Sequence, residues 1–147
     1  MQDLHSIIYP IAVIPPVSVA NNTAQVGSVV DLAAVLSPAS VDLGGFDGLE
    51  FITNIGAFAD ADAVFTPLVE DSDDNITFAA VSDTFLIGTE AAAAFATANL
   101  NSCKRIGYVG SKRYVRYTVT PANNTGATVF GVIAVPAYPR SAAVANN

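Results

Sequence analysis

The chain has 147 residues, of which 52% are hydrophobic and only 13% are charged, and its formal net charge at pH 7 is −7. The length predicts a single domain with a sizeable core, while the acidic balance argues against nonspecific nucleic-acid binding. No apolar run reaches the roughly 18 residues that a membrane helix needs, so no membrane association is expected. The low charged fraction predicts apolar surface covered by a partner, so we expect a homo-oligomer or a docked subunit.

Residues 1–20 are predicted to form an extended N-terminal arm. Its apolar run contains Pro10, Pro15 and Pro16, which forbid a regular helix and favour polyproline II or edge-strand geometry. The prolines and the lack of a basic start also argue against a signal peptide. Because an apolar arm is costly to leave in water, we expect it to lie on its own domain or on a neighbour. The three prolines are therefore candidate interface residues.

Residues 21–140 are predicted to form one β-rich domain, followed by a C-terminal tail at 141–147. A loop is expected at 42–48, and residues 85–88 are a short apolar piece. Extended segments are expected at 25–32, 49–58, 63–70, 76–81, 104–109, 113–121 and 128–136. The segments 63–70 and 76–81 should form a hairpin around the turn DSDDN. Turn signals every 8–12 residues are typical of an antiparallel β-sandwich or barrel. We predict an all-β fold, an antiparallel sandwich of jelly-roll or immunoglobulin-like type with about eight strands.

Two segments carry further information about burial and helix content. In 49–58 the alternating residues share one face, namely Leu49, Phe51, Thr53 and Ile55. Segment 128–136 is apolar on both faces, which predicts a central strand or one covered on both sides. Residues 90–100 (EAAAAFATANL) are the one candidate helix, because alanine has the highest helix propensity. A loop with a single helical turn is the alternative, so at most one short helix is expected.

The charges are segregated along the chain. All thirteen carboxylates lie between Asp3 and Glu90, and all six basic side chains lie between Lys104 and Arg140. The basic cluster could contact phosphates, bind carboxylates of another subunit, or pair with carboxylates of its own chain. The acidic remainder of the chain disfavours phosphates, and the other two interpretations stay open. The candidate interface residues of this cluster are Lys104, Arg105, Lys112, Arg113, Tyr114 and Arg116.

Residue types for catalysis and metal binding are scarce. Cys103 is the only cysteine and is expected to be a small buried hydrophobe, while His5 is the only histidine. One cysteine and one histidine cannot build a zinc site, and a nucleophilic triad would depend on His5. We predict no enzyme and no cofactor; for an enzyme, His5 or the pair Asp60 and Asp62 would be essential. A solvated hairpin tip or a cation site accounts for the acidic residues Asp60, Asp62, Asp71, Asp73 and Asp74.

The segment RIGYVGSKRYVR at 105–116, followed by residues 126–140 ending in AYPR, resembles small virion proteins of tailed bacteriophages. Segments 42–54 and 69–78 fit the same pattern more loosely. The resemblance implies a structural protein, a decoration (cement) protein on the outer surface of the capsid that bridges subunits of the major capsid protein. Similar proteins are small, β-rich and commonly trimeric, so a homotrimer is expected. Arg105 and residues 107–116 are carried over as strand, turn and interface.

An alternative from another functional class is a receptor- or glycan-binding β-module of a phage tail or spike. Such a module needs an exposed groove with aromatic side chains, on which sugar rings stack. The candidates for this groove are Tyr108, Tyr114, Tyr117 and Phe130.

Overall fold

The computed structural model describes residues 4–33 and 45–140, which form two antiparallel β-sheets packed face to face. This confirms the predicted antiparallel β-sandwich. The predicted tail at 141–147 and residues 42–44 of the predicted loop lie outside the described residues. Within the described ranges, no helix is long and apolar enough to cross a membrane.

The two sheets are built from six long strands and five very short ones. The long strands are β1 Ile11–Val19, β4 Phe46–Phe58, β5 Val64–Ser72, β9 Ser102–Tyr108, β10 Tyr114–Ala122 and β11 Thr128–Pro139. The two-residue strands are β2 Gln25–Val26, β3 Val30–Asp31, β6 Ala79–Ala80, β7 Leu86–Ile87 and β8 Phe95–Ala96. The helical elements are α1 Glu90–Ala93 and single 3₁₀ turns at His5–Ile7, Asp83–Phe85 and Thr97–Asn99.

Sheet I has the strand order β1-β11-β4-β9-β7, and sheet II has the order β2-β10-β5-β6. Strand β3 also pairs with β10, and β8 also pairs with β5. The last three long strands therefore alternate between the sheets, since β9 and β11 belong to sheet I and β10 belongs to sheet II. Strand β11 lies between β1 and β4, which confirms that residues 128–136 form a central strand.

The core lies between the sheets and is built from alternating residues. The face of β4 formed by Leu49, Phe51, Thr53 and Ile55 is buried, as predicted. Across the core, Phe51 stacks on Tyr117 of β10 with ring centroids 4.9 Å apart. Burial raises the pKa of Tyr117 to about 12, and its hydroxyl lies 3.2 Å from Thr53 Oγ1. That contact satisfies the one polar group of a fully buried ring.

Four phenylalanines fill one end of the core. Phe65 stacks on Phe95 at 5.0 Å, and the neighbouring ring pairs meet edge-on at 5.4–6.2 Å. The four rings come from four strands or their ends: Phe58, Phe65, Phe95 and Phe130. Each buried ring contributes about 1.5–3 kcal/mol of transfer free energy, so this cluster is a main anchor of the fold.

The helix predicted at 90–100 is wrong, and the alternative of a single turn is confirmed. Thr89 Oγ1 accepts a hydrogen bond from Ala92 N at 3.1 Å and starts α1, which ends after four residues. The chain then becomes extended so that Phe95 can pair with Phe65 and enter the aromatic cluster. Burial of that ring outweighs alanine helix propensity, which is worth a few tenths of a kcal/mol per residue.

Three predicted boundaries also differ from the structure. Segment 25–32 splits into β2 and β3, because Ser28 N turns away to donate to Val13 O at 2.9 Å. Segment 76–81 pairs only at β6, although the predicted hairpin is confirmed by the pair Glu70↔Ala80. The loop expected at 42–48 is wrong from Phe46 onward, because Phe46 is buried and begins β4.

Residues 11–19 of the expected arm lie on their own domain as the edge strand β1. This strand pairs with β11 from Ile11↔Ala134 to Val19↔Thr128, with two register shifts between Ala12 and Val17. The shifts are β-bulges, which accommodate the two adjacent prolines at a sheet edge.

Candidate interaction surfaces

The two most strongly paired basic side chains bind carboxylates of their own chain. Arg113 forms a bidentate pair with Asp31, with both N–O distances at 2.8 Å. Arg116 Nε and Nη2 donate to Glu70 Oε2 at 3.0 and 2.9 Å. The strand register explains the second pair, because Arg116 and Glu70 are directly opposite on β10 and β5. The within-chain interpretation of the charge pattern therefore describes these residues.

The remaining basic residues of the cluster are also engaged, but less closely. Lys112 forms an ion pair with Asp73, and Lys104 Nζ donates to Ala92 O at 3.2 Å. Arg105 lies 3.9 Å from Glu50, and its side chain is 81% exposed. Arg105 is thus the member of the cluster best able to contact another molecule.

The structure does not bring the basic cluster together on one surface. Arg116 and Tyr114 lie on the outer face of sheet II, where the Arg116 guanidinium covers the ring of Phe78 at 4.2 Å. Arg105 lies on the outer face of sheet I, because alternation along β9 directs its neighbour Ile106 into the core. Lys112 and Arg113 belong to the connection between the two strands. Basic residues that are close in the sequence therefore do not form a single basic patch on the surface.

The five acidic residues are likewise separated. Asp60 and Asp62 precede β5, whereas Asp71, Asp73 and Asp74 lie at or beyond its far end, about 25–30 Å away along the strand. Asp60 accepts hydrogen bonds from Thr125 N and Oγ1, both at 2.8 Å, and these lower the pKa of Asp60. In the described part of the chain, no group of three or more potential metal ligands forms. Asp60 thus joins its loop to that of Thr125, whereas Asp74 accepts from Ile76 N and Thr77 N within its own turn.

The aromatic candidates do not form an exposed groove. Tyr117 and Phe130 are each 1% exposed, and Tyr108 is buried as well. Burial raises the pKa of the Tyr108 hydroxyl, which donates to Asp71 at 2.9 Å and accepts from Lys112 N. Only Tyr114 is partly accessible. These four residues therefore provide no stacking platform for a sugar.

The single histidine and the single cysteine both lie at the surface of the protein. His5 is exposed in a 3₁₀ turn before β1. The expectation of a buried Cys103 is wrong, because Cys103 is exposed on β9. Its register partner is Asn54, and Cys103 Sγ lies 3.7 Å from Asn54 Oδ1. Both side chains belong to the outer face of sheet I.

The outer faces of the two sheets differ in polarity along the strands β10 and β11. On sheet II the outward residues of β10 alternate with core residues and are mostly polar: Tyr114, Arg116, Thr118 and Thr120. On sheet I the outward residues of β11 are all apolar: Val129, Gly131, Ile133, Val135 and Ala137. Ala12 and Pro16 of β1 and Ile52 of β4 extend this apolar surface. Glu50 and Arg105 form an ion pair among the outward residues of sheet I.

A groove of about 200 Å³ lies in this apolar face. We call it the Gly131 groove, and its lining residues are Ala12, Ile14, Pro16, Asn54, Gly56, Val129, Phe130, Gly131, Val132 and Ile133. Glycine allows a close approach here, because a Cβ on Gly131 would lie 3.2 Å from Pro16 N and 3.3 Å from Ile14 O, which is tighter than most Cβ contacts. The β1 bulge thus packs against bare backbone and leaves an open apolar pocket.

At the other end of the same face, Tyr138 has an unusual backbone. Its φ is +58°, which is a genuine outlier for a bulky side chain. The ring lies over Gly48, where a Cβ would be only 3.4 Å from Tyr138 Cδ2, and the side chain is 62% exposed. The left-handed backbone therefore directs a large aromatic side chain onto the outer face of sheet I.

The prolines of β1 close its free edge. Pro15 and Pro16 have no N–H group, and Val13 O already accepts from Ser28 N. Bulges and prolines are the usual means by which edge strands avoid pairing with another chain. A partner at this side of the molecule is thus expected to contact the face of sheet I rather than to add a strand.

Sequence reasoning missed the surface formed by the outer face of sheet I. The available signal was the apolar character of both faces of residues 128–136, which indicates a strand covered on both sides. One side is covered by sheet II, and the other carries half-exposed Val129 and Ile133. No sequence pattern indicated the orientation of Tyr138, because that orientation depends on a positive φ.

No family model matches the sequence, and no curated protein is significantly similar to it. Among solved structures, the fold is similar to that in the crystal structure of the PBSX exported protein XepA, with a TM-score of 0.60 and 14% sequence identity. The match covers 100% of this chain and 42% of the XepA chain, so this chain spans less than half the length of that protein. At this identity the likeness shows the fold alone.

Proposed function

We propose that this chain is a non-enzymatic structural protein of a tailed-phage particle. Its specific role in this proposal is to decorate the outer surface of the capsid and to stabilise it by bridging subunits of the major capsid protein. The observation that carries the proposal is the apolar outer face of sheet I, with its groove and its strained tyrosine. A face of this kind is suited to assembly rather than to catalysis.

The size of this face supports an assembly contact. Four inter-strand spacings of about 4.8 Å and eight residue steps of about 3.3 Å give roughly 500 Å² in projection. Covering apolar surface contributes about 25 cal/mol per Å² before the costs of association. A protein that binds only the assembled particle stabilises that assembly by mass action.

Two further observations support a phage particle. The segment 105–116 resembles small structural proteins of tailed phages, and in the fold it forms β9, a turn and the start of β10. The fold is also similar to that of the PBSX exported protein XepA. The resemblance implies a homotrimer, in which each copy holds one capsid subunit while the copies hold one another.

The test is co-sedimentation of the purified chain with parent heads from which this protein has been stripped. We expect saturable binding at a fixed ratio to the major capsid protein and a higher temperature of particle rupture. Heads that bind no protein, while isolated tails do, would contradict the capsid role and place the chain in the tail. Binding to glycans by the isolated chain would favour a receptor-binding module instead.

A further inference from the structure

We infer that the outer face of sheet I is a two-fold contact between two copies of this chain, with Tyr138 of each copy in the Gly131 groove of the other. This inference names the occupant of the face on which the proposed function rests. The two-fold contact is compatible with the expected homotrimer, because two copies can associate in solution or can connect two neighbouring trimers on a particle.

The protruding part of the contact is Tyr138. Unusual backbone conformations cost about 1–3 kcal/mol and persist where the surrounding structure or a function maintains them. Here the positive φ directs the ring onto the outer face beside Val135, Ala137 and Val109. Tyrosine combines a large apolar area with a polar tip, which is why it is enriched at protein interfaces.

The receiving part of the contact is the Gly131 groove. Its volume of about 200 Å³ exceeds the 150 Å³ or so of an engineered cavity that holds benzene, so one aromatic side chain fits. Its walls are apolar, and Asn54 at its rim supplies an amide that can pair with a phenol hydroxyl. The groove therefore matches the chemistry of a tyrosine side chain.

The two parts lie on one strand and on one face, so the face is self-complementary. Residues 131 and 138 are seven positions apart on β11, which is about 23 Å at 3.3 Å per residue. A two-fold axis lying between the two faces, perpendicular to β11 and midway between Ala134 and Val135, brings residue 138 of one copy over residue 131 of the other. Such an arrangement is the isologous contact typical of homodimers.

The charges on this face permit two copies to approach. Although the chain carries a net charge of −7, the charged pair among the outward residues of sheet I is Glu50 and Arg105. In the two-fold arrangement Arg105 of one copy lies one strand away from Glu50 of the other. Because their own separation is 3.9 Å and Arg105 is largely exposed, Arg105 can bind the second copy's carboxylate. The contact is thus apolar at its centre and neutral at its rim.

Sedimentation velocity over about 1–200 µM protein tests the contact, a range that spans micromolar affinities. We expect the wild type to dimerise, and we expect Tyr138→Asn and Ile133→Lys to weaken dimerisation at least tenfold. Asparagine tolerates a positive φ, so Tyr138→Asn removes the ring without adding backbone strain. The matched control is Val64→Lys on sheet II, because Val64 and Ile133 are both 40% exposed.

Cys103 provides a distance measurement on the same face. In the two-fold arrangement two Cys103 Cα atoms are about 25 Å apart, from seven residue steps along the strand and about 10 Å between sheets. A spin label on this single cysteine should therefore give an inter-label distance near that value, and Tyr138→Asn should abolish it. The label needs no engineered cysteine.

Each outcome bears on the inference. A wild type that stays monomeric, or an association that Tyr138→Asn and Ile133→Lys leave unchanged, would overturn the two-fold contact. Equal weakening by Val64→Lys would also overturn it. Binding to stripped heads is scored separately: head binding by a protein that does not dimerise would leave the proposed function standing alone. Dimerisation through Tyr138 without head binding would leave the contact standing alone.

Discussion

The ion pair between Arg116 and Glu70 gives the sharpest test of how the segregated charges act. Glu70 Oε2 accepts from Arg116 Nε at 3.0 Å, from Nη2 at 2.9 Å and from Thr118 Oγ1 at 3.3 Å. The side chains are 27% and 16% exposed, so the pair is only partly screened by water. If this ion pair stabilises the folded state, reversing one charge should destabilise the isolated chain.

The expected magnitude follows from the geometry of the pair. At an effective dielectric constant of about 20, two charges about 4 Å apart interact by roughly 4 kcal/mol before desolvation and side-chain entropy offset most of it. Exposed ion pairs contribute up to about 1 kcal/mol, and hydrogen bonds to charged groups contribute about 1.5–3 kcal/mol. We therefore expect a net contribution of about 1–2 kcal/mol, and a loss of about 3 kcal/mol for Arg116→Glu, which also adds repulsion.

The assay is thermal unfolding at pH 7, followed by circular dichroism and by the fluorescence of the five tyrosines in a chain without tryptophan. Arg116→Glu should lower the Tm by about 6–12 °C, and adding Glu70→Arg should recover most of that loss. The control is Thr120→Glu, an outward position on the same strand whose register partner is Thr66. The reasoning fails if Arg116→Glu destabilises no more than Thr120→Glu, or if the reversed pair shows no recovery.

Three further predictions concern the core, the acidic turn and the exposed thiol. Phe95→Ala should lower the free energy of unfolding by about 3–5 kcal/mol in urea titrations, because Phe95 contacts three other rings; a loss below about 1 kcal/mol would contradict the aromatic anchor. Hydrogen bonds from Thr77 N and Ile76 N lower the pKa of Asp74 to about 2. Since the folded pKa is below the ordinary value, the stabilisation is present above about pH 4 and is lost as the pH falls through about 2. The acid unfolding profile should therefore flatten in Asp74→Asn, and an unchanged profile would count against this role. In dilute native protein, in which the proposed pair is dissociated, Cys103 should react with a thiol reagent as fast as in urea, whereas strong protection under these conditions would contradict its exposure.

Local sequence patterns were sufficient to predict five of the six long strands, whereas β1 was expected as part of an extended arm. Side chains on a strand point to opposite faces with a period of two, so a local pattern identifies the core face of β4. The same reasoning predicted that β11 is central or covered on both sides, because both of its faces are apolar. These are local properties, and the structure confirms them.

Local propensity failed where distant residues competed for the same segment. The alanine-rich stretch after Glu90 favours a helix by itself. The helix is nevertheless only four residues long, because Phe95 enters the cluster with Phe65 and Phe130. No local pattern reveals that a ring is needed 30 residues away. Packing energies of several kcal/mol then override helix propensities of a few tenths.

For the candidate interaction surface too, sequence and tertiary structure determined different features. The sequence by itself determined the strand content, the two faces of β4 and the excess of apolar residues that some surface must carry. Only the tertiary structure decided that Arg116 meets Glu70, that the acidic loops lie apart, and that Gly131 and Tyr138 share one face of sheet I. The physical reason is that strand order, bulges and a positive φ depend on contacts between residues far apart in the chain, which composition and periodicity do not record.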